Sequence, residues 1–410
     1  MTSADVPTET PAGVPLTEPR DGVPTPLTTA DALAEAVAAL ATASGPVAVD
    51  AERASGYRYG QKAYLVQLRR DGVGTLLIDP VALPDLSPVN DAIRDCEWVF
   101  HAASQDLPCL REIGMAPPRI FDTELAGRLL NLPRVGLGPI VESVLGLSLE
   151  KGHSAADWST RPLPEPWLRY AALDVEVLIE LRDQLAGQLE QTGKWEWAQQ
   201  EFAAVVAAGP AAPRTDPWRR TSGIHRIRTR RQLAIVRELW EHRDRLAQRR
   251  DIAPGRVLPD AAIVTAALAA PTTEQALTDL PVWGGRSLRR QSQGWLAPIT
   301  TALQLPDDAL PPLKVVAEGP PPARSWPERD PAAAARLAAA RAAVAAIAEQ
   351  YDLPTENLLA PDAIRRLAWT PPQPTGEESV AETLRSRGAR PWQVELTAAA
   401  LASALGAGAD

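Results

Sequence analysis

The chain has 410 residues, 45% hydrophobic and 23% charged, with 40 prolines, two cysteines and a net charge of −9. That length implies more than one core, because single cores rarely grow past roughly 250–300 residues. Two cysteines, Cys96 and Cys109, build neither a disulfide framework nor a zinc site and read as buried free thiols of a reducing cytoplasm.

Residues 1–27 read as a disordered tail without the basic and apolar regions of a secretory signal. No stretch approaches the ~20 apolar residues that span a bilayer, so no membrane partner is expected. From 28 to 206 strands and helices alternate. Ala32–Ala43 reads as a helix, Val47–Asp50, Ala63–Arg69 and Gly74–Ile78 as strands, and Trp98–Phe100 as a short strand. Helices follow at Leu107–Ile113, Thr123–Leu130, Ile140–Leu145 and Trp167–Thr192. The early hairpin-like spacing followed by alternation implies an α/β domain with a mixed sheet.

A Pro/Gly linker at 207–223 leads into an all-helical segment, 224–304, whose long helix carries Leu233, Val236, Leu239, Trp240 and Leu246 on one stripe. A Pro-rich linker spans 305–331, and a last helical segment covers 332–410. DIAPGRVLPDAAI (251–263) and DLPTENLLAPDAI (352–364) align, as two tandem bundles would. Between Arg214 and Arg256 thirteen arginines face five acids, an excess of eight positive charges in an acidic chain. Arg226, Arg228, Arg230 and Arg231 cluster at the start of the long helix. They are placed either to bind phosphate, blind to base sequence, or to dock on the first domain.

The stretch VAVDAER ends an apolar strand on Asp50 and Glu52, which share a face because strand side chains alternate. Two neighbouring carboxylates repel, and burying them calls for a cation between them; oxygen ligands suit magnesium or manganese. A solvated strand end is the plain alternative. Asp106 in WVFHAASQDLPCL falls at a helix start, where capping alone would account for it. Tyr170 and Asp174 in LRYAALDVEVL lie four apart on one half-buried helix face.

DAE (50–52), HAASQD (101–106) and YAALD (170–174) resemble, in order and separation, the three motifs of the tyrosine subtype of DEDD exonucleases. FDTELAGRLL (121–130) and DWSTRPL (157–163) are similar to ribonuclease D, and the segment from about 224 to 303 resembles the helicase-and-RNase-D C-terminal (HRDC) domain. The resemblance implies an RNase H-like (DnaQ-like) α/β exonuclease domain with a mixed sheet, followed by two small all-α HRDC-type bundles. It implies two divalent metal ions (Mg2+ or Mn2+), the first held by Asp50, Glu52 and Asp174, the second bridged by Asp50 and served by Asp106. Tyr170 would orient the attacking water. Arg53 departs from the pattern, standing where relatives often carry an apolar residue against the terminal base.

His101 is a candidate for the terminal sugar, and Lys151 and His153 for phosphate. Tyr57 and Tyr59, with Arg58, are candidates for a single-strand path. Trp158 reads as packing, and Asp122 with Glu124 as helix capping. No phosphate loop or dinucleotide fingerprint is present, so no nucleotide cofactor is expected. The expected partner is RNA with a single-stranded 3′ end, tRNA precursors foremost, handled by a monomer. The alternatives are a DNA exonuclease of the same superfamily and a binding adaptor with an idle nuclease fold.

Overall fold

The computed structural model describes residues 13–406 except 151, 154, 211 and 315–318. The expected tail at 1–12, the chain end at 407–410 and Lys151 lie outside the described residues. Part of the segment assigned to the tail is structured. Strand β1 (Val14–Leu16) pairs in parallel with a later strand, and Leu27 bridges to Ile78.

Helix α1 (Ala30–Thr42) starts where Thr29 accepts from the Ala32 amide, and it buries Leu33, Ala36 and Leu40 on one stripe. Strands β2 (Val47–Arg53), β3 (Ala63–Arg70) and β4 (Gly74–Ile78) form an antiparallel run. After α2 (Ser87–Ala92), β5 (Trp98–Phe100) joins β2 in parallel. Helix α3 (Leu107–Glu112) leads to β6 (Ile120–Asp122), which pairs in parallel with β5. The mixed sheet has the order β4-β3-β2-β5-β6, so β2 is central. Val47, Ala48 and Val49 are fully buried, as befits a strand covered on both faces.

Helices α4 (Thr123–Leu129) and α5 (Leu137–Leu145) precede β7 (Leu147–Leu149), the partner of β1. The expected single helix over 167–192 is two, α6 (Glu165–Glu176) and α7 (Leu178–Gln191), separated at Val177. Helix α8 (Trp195–Ala207) closes the domain.

The middle bundle contains α9 (Arg230–Arg250), α10 (Pro254–Val257), α11 (Asp260–Ala269), α12 (Glu274–Thr278), α13 (Arg286–Arg290) and α14 (Ser292–Gln304). It has its own core around Trp283 and Trp295. The segments flanking it are not plain linkers: Trp218 and Trp326 are buried, the latter in α15 (Trp326–Arg329).

The last bundle holds α16 (Pro331–Gln350), α17 (Thr355–Leu358), α18 (Pro361–Trp369), α19 (Glu377–Ser386) and α20 (Pro391–Gly406). The aligned sequences correspond in structure: each follows a long helix closed by a left-handed aspartate, Asp251 or Asp352, and forms a one-turn helix and then a longer one. Helix α16 is, by length and composition, long and apolar enough to cross a membrane, with mean hydropathy 1.3, contrary to the sequence reading. It is the central helix of this bundle, burying Leu337, Ala340 and Val344 against the same core that runs through the α/β domain.

That shared core is sealed by polar contacts. Trp392 stacks on Trp197 with 4.9 Å between ring centroids and donates from its indole nitrogen to Glu201 at 3.0 Å. The buried Lys194 donates to the carbonyls of Leu129 and Asp352 at 2.8 and 2.9 Å. An ammonium with partners from two domains is a tether that burial alone would disfavour.

Candidate active site

The centre of the sheet carries the site. Strand β2 pairs with β3 in regular register up to Glu52, where the register shifts so that Arg53 opposes Ala63. A bulge at this point bends the strand end and re-aims its side chains. Helix α6 crosses here and brings Asp174. Ligand oxygens of Asp50, Glu52 and Asp174 lie within 4.8 Å of one another. All three line a cavity of about 670 Å³, together with Asp106 and Tyr170.

Asp106 stands at the start of α3, yet its side chain makes no capping hydrogen bond. Capping therefore does not account for it, and its buried carboxylate is left to the cavity. The turn that places it is held by Asp122, which accepts from the amides of Ala102 and Ala103 at 3.1 and 2.9 Å. The same carboxylate caps α4 through the Glu124 and Leu125 amides. Ala102 has φ 63°, a conformation disfavoured for a residue with a Cβ, and Asp122 holds it there. The capping expected of Asp122 is thus present, and its positioning of the second motif is what the sequence reading missed.

A second unforeseen support is Arg161, within DWSTRPL. Its guanidinium grips Asp79 through two 2.7 Å bonds and donates to the Tyr64 carbonyl at 2.7 Å. Trp158 beneath it is fully buried and packs on Trp167, a structural role as expected.

Electrostatically the cluster is overloaded with negative charge. Burial first, then the neighbouring carboxylates, pushes Glu52 and Asp106 well above the usual carboxylate range; Asp174 rises by burial and by Asp50. Burial also raises Asp50. Burial and the charge of Asp174 push the Tyr170 phenol up, so Tyr170 stays a protonated donor, hydrogen-bonded to Asp174. Carboxylates gathered this way are a cradle for a cation. The donor set, all oxygen, fits a hard divalent ion.

The other candidates divide. His101 lines the cavity, and burial pushes its pKa down to about 4, so the ring is neutral. Its Nδ1 lies 2.9 Å from the Thr123 hydroxyl, whose own proton goes to the Phe100 carbonyl. Nδ1 is then the donor, and Nε2 keeps a free lone pair. His153 stacks edge-on to Tyr170, with 5.9 Å between rings. Cys109 is buried, its thiol pushed up to about 12, and Cys96 is also free.

Tyr59 is engaged elsewhere: its hydroxyl bonds Asp244 at 3.1 Å and its amide donates to Asp251, both in the middle bundle. Tyr57 lies under the guanidinium of Arg256 at 4.0 Å. The loop after the first motif is therefore a docking face for that bundle and is not open to stack bases. Arg230 and Arg231 are likewise engaged by the chain itself. Arg230 donates to the carbonyls of Leu310 and Pro311, and Arg231 to that of Ala302 at 3.1 Å and to Asp307 at 2.9 Å. They pin the outgoing segment to the bundle. Arg228 donates to the His225 carbonyl at 2.6 Å, while Arg226 is exposed. The exposed arginines at the other end of α9 and on α13, Arg249, Arg250, Arg289 and Arg290, are joined where Arg250 bonds Gln291 at 3.2 Å.

The chain matches the 3′-5′ exonuclease family over residues 24–190, the HRDC domain over 232–299, and a 3′ to 5′ exonuclease C-terminal domain over 319–405. A ribonuclease D from Gluconacetobacter diazotrophicus is 33% identical over 335 residues, 79% of this chain and 81% of that protein. The chain belongs to the ribonuclease D family. It is a 3′-5′ exoribonuclease, a phosphodiester hydrolase. Among solved structures, a protein from Bifidobacterium adolescentis is 40% identical with a TM-score of 0.89, covering 96% of this chain and all of that one. Escherichia coli RNase D, an exoribonuclease involved in structured RNA processing, is 28% identical with a TM-score of 0.66, over 93% of this chain and 98% of that one. The arrangement of an exonuclease sheet followed by helical domains is that of the family.

Proposed function

We propose that this exoribonuclease works with two divalent ions, magnesium or manganese, and trims structured RNA such as tRNA precursors in the cytoplasm as a monomer. The observation that carries the metal reading is the gathering of Asp50, Glu52 and Asp174 oxygens within 4.8 Å, with Glu52 buried and the other two half-buried. These three would hold the first ion, and Asp50 with Asp106 the second. When bound, such ions acidify water and stabilise the charge on the phosphate oxygens.

The chain's own groups do the rest. Tyr170, held protonated beside Asp174, positions the attacking water but does not deprotonate it. Attack of the water oxygen on phosphorus breaks the bond to the 3′ oxygen of the penultimate ribose. A nucleoside 5′-monophosphate leaves and the shortened RNA ends in a hydroxyl. The free Nε2 of His101 accepts from the 2′-hydroxyl of the terminal ribose, the group DNA lacks, which favours RNA over DNA. The terminal strand must be single to enter the cavity, while the solvent-facing arginines at the α9–α13 end grip the folded remainder through phosphates.

The test is digestion of 5′-labelled RNA with a single-stranded 3′ end, in manganese or in EDTA, beside Asp50→Ala. A metal-dependent ladder shortening from the 3′ end, absent in the variant, is expected. Equal rates for the variant and the natural protein would remove the assignment. A matched DNA oligonucleotide and the His101→Ala variant test the sugar contact: the preference for RNA should shrink several-fold in the variant.

A further inference from the structure

Arg53 is a permanent cation placed inside a site that collects divalent cations. Its guanidinium nitrogen lies 3.8 Å from the Asp106 carboxylate, and its side chain is a quarter exposed. The separation is an ion contact rather than a hydrogen bond, since N–H···O bonds close at 2.7–3.2 Å. Asp106 is the only ionic partner of Arg53 among the described residues. The register shift at Glu52/Arg53 puts the side chain into the same cavity as Asp50 and Glu52. The guanidinium therefore stands at the Asp106 half of the cluster and keeps its donors free toward the cavity. An arginine cannot leave this role by losing a proton. It can leave only by moving to another anion, and its planar fork suits a phosphate better than a single carboxylate oxygen.

We propose that Arg53 is a resident counter-ion that occupies the Asp106 half of the site in the free enzyme and weakens divalent-ion binding there until an RNA phosphate draws it away. The proposal rests on the two-ion reading above. Loading of the Asp106 half would then be coupled to substrate, and the free enzyme would keep one strong ion site and one weak one. Coupling of this kind is reciprocal: RNA strengthens the weak ion site by the factor by which the ion strengthens RNA binding. Arg53 is a positioning residue in this scheme, and it separates the two halves of the cluster. Its direct ion contact is with Asp106, while Asp50 and Glu52 feel its charge from farther off.

The experiment is manganese titration of the full chain without RNA, followed by calorimetry and by the electron paramagnetic resonance of free manganese, for the natural protein, Arg53→Met and Arg53→Lys. Arg53→Met removes the charge and keeps an unbranched apolar side chain, and circular dichroism checks its fold. The expected result is that the weaker constant tightens about tenfold in Arg53→Met, equivalent to about 1.4 kcal/mol. The stronger constant tightens by less than the weaker one, and Arg53→Lys keeps the natural pattern because its charge remains. RNA binding in EDTA should weaken several-fold in Arg53→Met and less in Arg53→Lys. Two binding events with constants unchanged in Arg53→Met would overturn the proposal alone. A single binding event in all three proteins would overturn the two-ion reading and the proposal with it. If Arg53→Met failed to fold, a titration of the natural protein with and without a non-cleavable RNA would carry the test, and an unchanged weaker constant would overturn the proposal.

Discussion

Replacing Asp174 by asparagine should make the metal-free protein more stable while abolishing its activity. Asp174, Asp50 and Glu52 place oxygens within 4.8 Å of one another. At an effective dielectric of about 20, two unit charges at that separation repel by roughly 3 kcal/mol. Proton uptake by the cluster and the charge of Arg53 relieve part of this, leaving about 1–3 kcal/mol to be gained. The sign follows from linkage. Burial and repulsion raise the native Asp174 pKa, so the unfolded chain loses its proton first as pH rises. The native state therefore carries a penalty that is absent below the ordinary aspartate value of about 4 and complete above the raised one. Asparagine has the same shape and no penalty. In EDTA at pH 8 the variant should melt about 2–12 °C higher, taking ~2–4 °C per kcal/mol for a domain of this size. The gap should close toward pH 4. Saturating manganese should stabilise the natural protein more than the variant, because binding to the native state alone adds stability. Exonuclease activity should fall by at least about a hundredfold, since even outer-shell changes at metal sites cost 10–100-fold. A variant that melts lower in EDTA at pH 8, or a gap independent of pH, would refute the account of the cluster as mutually destabilised carboxylates.

The same raised values predict that manganese binding near pH 6 releases protons. Calorimetry in two buffers of different ionisation enthalpy should show it, and identical heats would contradict it. Asp122→Ala strands four backbone amides and frees the Ala102 turn, so it should cost on the order of 3 kcal/mol in a thermal melt and displace Asp106. Asp122→Asn, with one accepting oxygen, should recover part of the loss. Tyr57→Ala and Asp244→Ala loosen the middle bundle from the exonuclease domain. Digestion of a short unstructured oligonucleotide should stay within about twofold, while a folded RNA with a short 3′ overhang is degraded several-fold more slowly. Replacing Arg289 and Arg290 by alanine should lower the salt dependence of RNA binding by about one unit of log–log slope for each phosphate that is no longer neutralised.

The parts that were legible in the sequence are those that depend on short-range order. Each of the three motifs is a short local stretch, and strand alternation and helical spacing suffice to place Asp50 beside Glu52 and Tyr170 beside Asp174. The helix break at Val177 was not legible, because an apolar stripe continues through it and only the packing of two differently directed helices requires it. Nor was β1, whose pairing with β7 joins segments more than a hundred residues apart and gives no local signal beyond three ordinary residues. Arg230 and Arg231 show the limit most plainly. Charge density in a sequence says how many donors a surface could offer, but backbone carbonyls compete for the same donors and leave no trace in composition.

The relocation of these arginines changes the account of how the domains cooperate. Tyr57, Arg58 and Tyr59 follow the catalytic strand by only a few residues and are held by Arg256, Asp251 and Asp244 of the middle bundle. Arg58 also donates to Ser159, in the loop that precedes α6 and Asp174. One short loop thus ties the bundle to both supports of the metal cradle, the end of β2 and the approach to α6. The bundle is held at the end of the catalytic strand, and the exposed Arg249 and Arg250, which lie between Asp244 and Asp251, are held with it. If those arginines grip the folded part of the RNA as proposed, a fixed separation of this kind would select RNA by the distance between its folded body and its 3′ end, without reading a base.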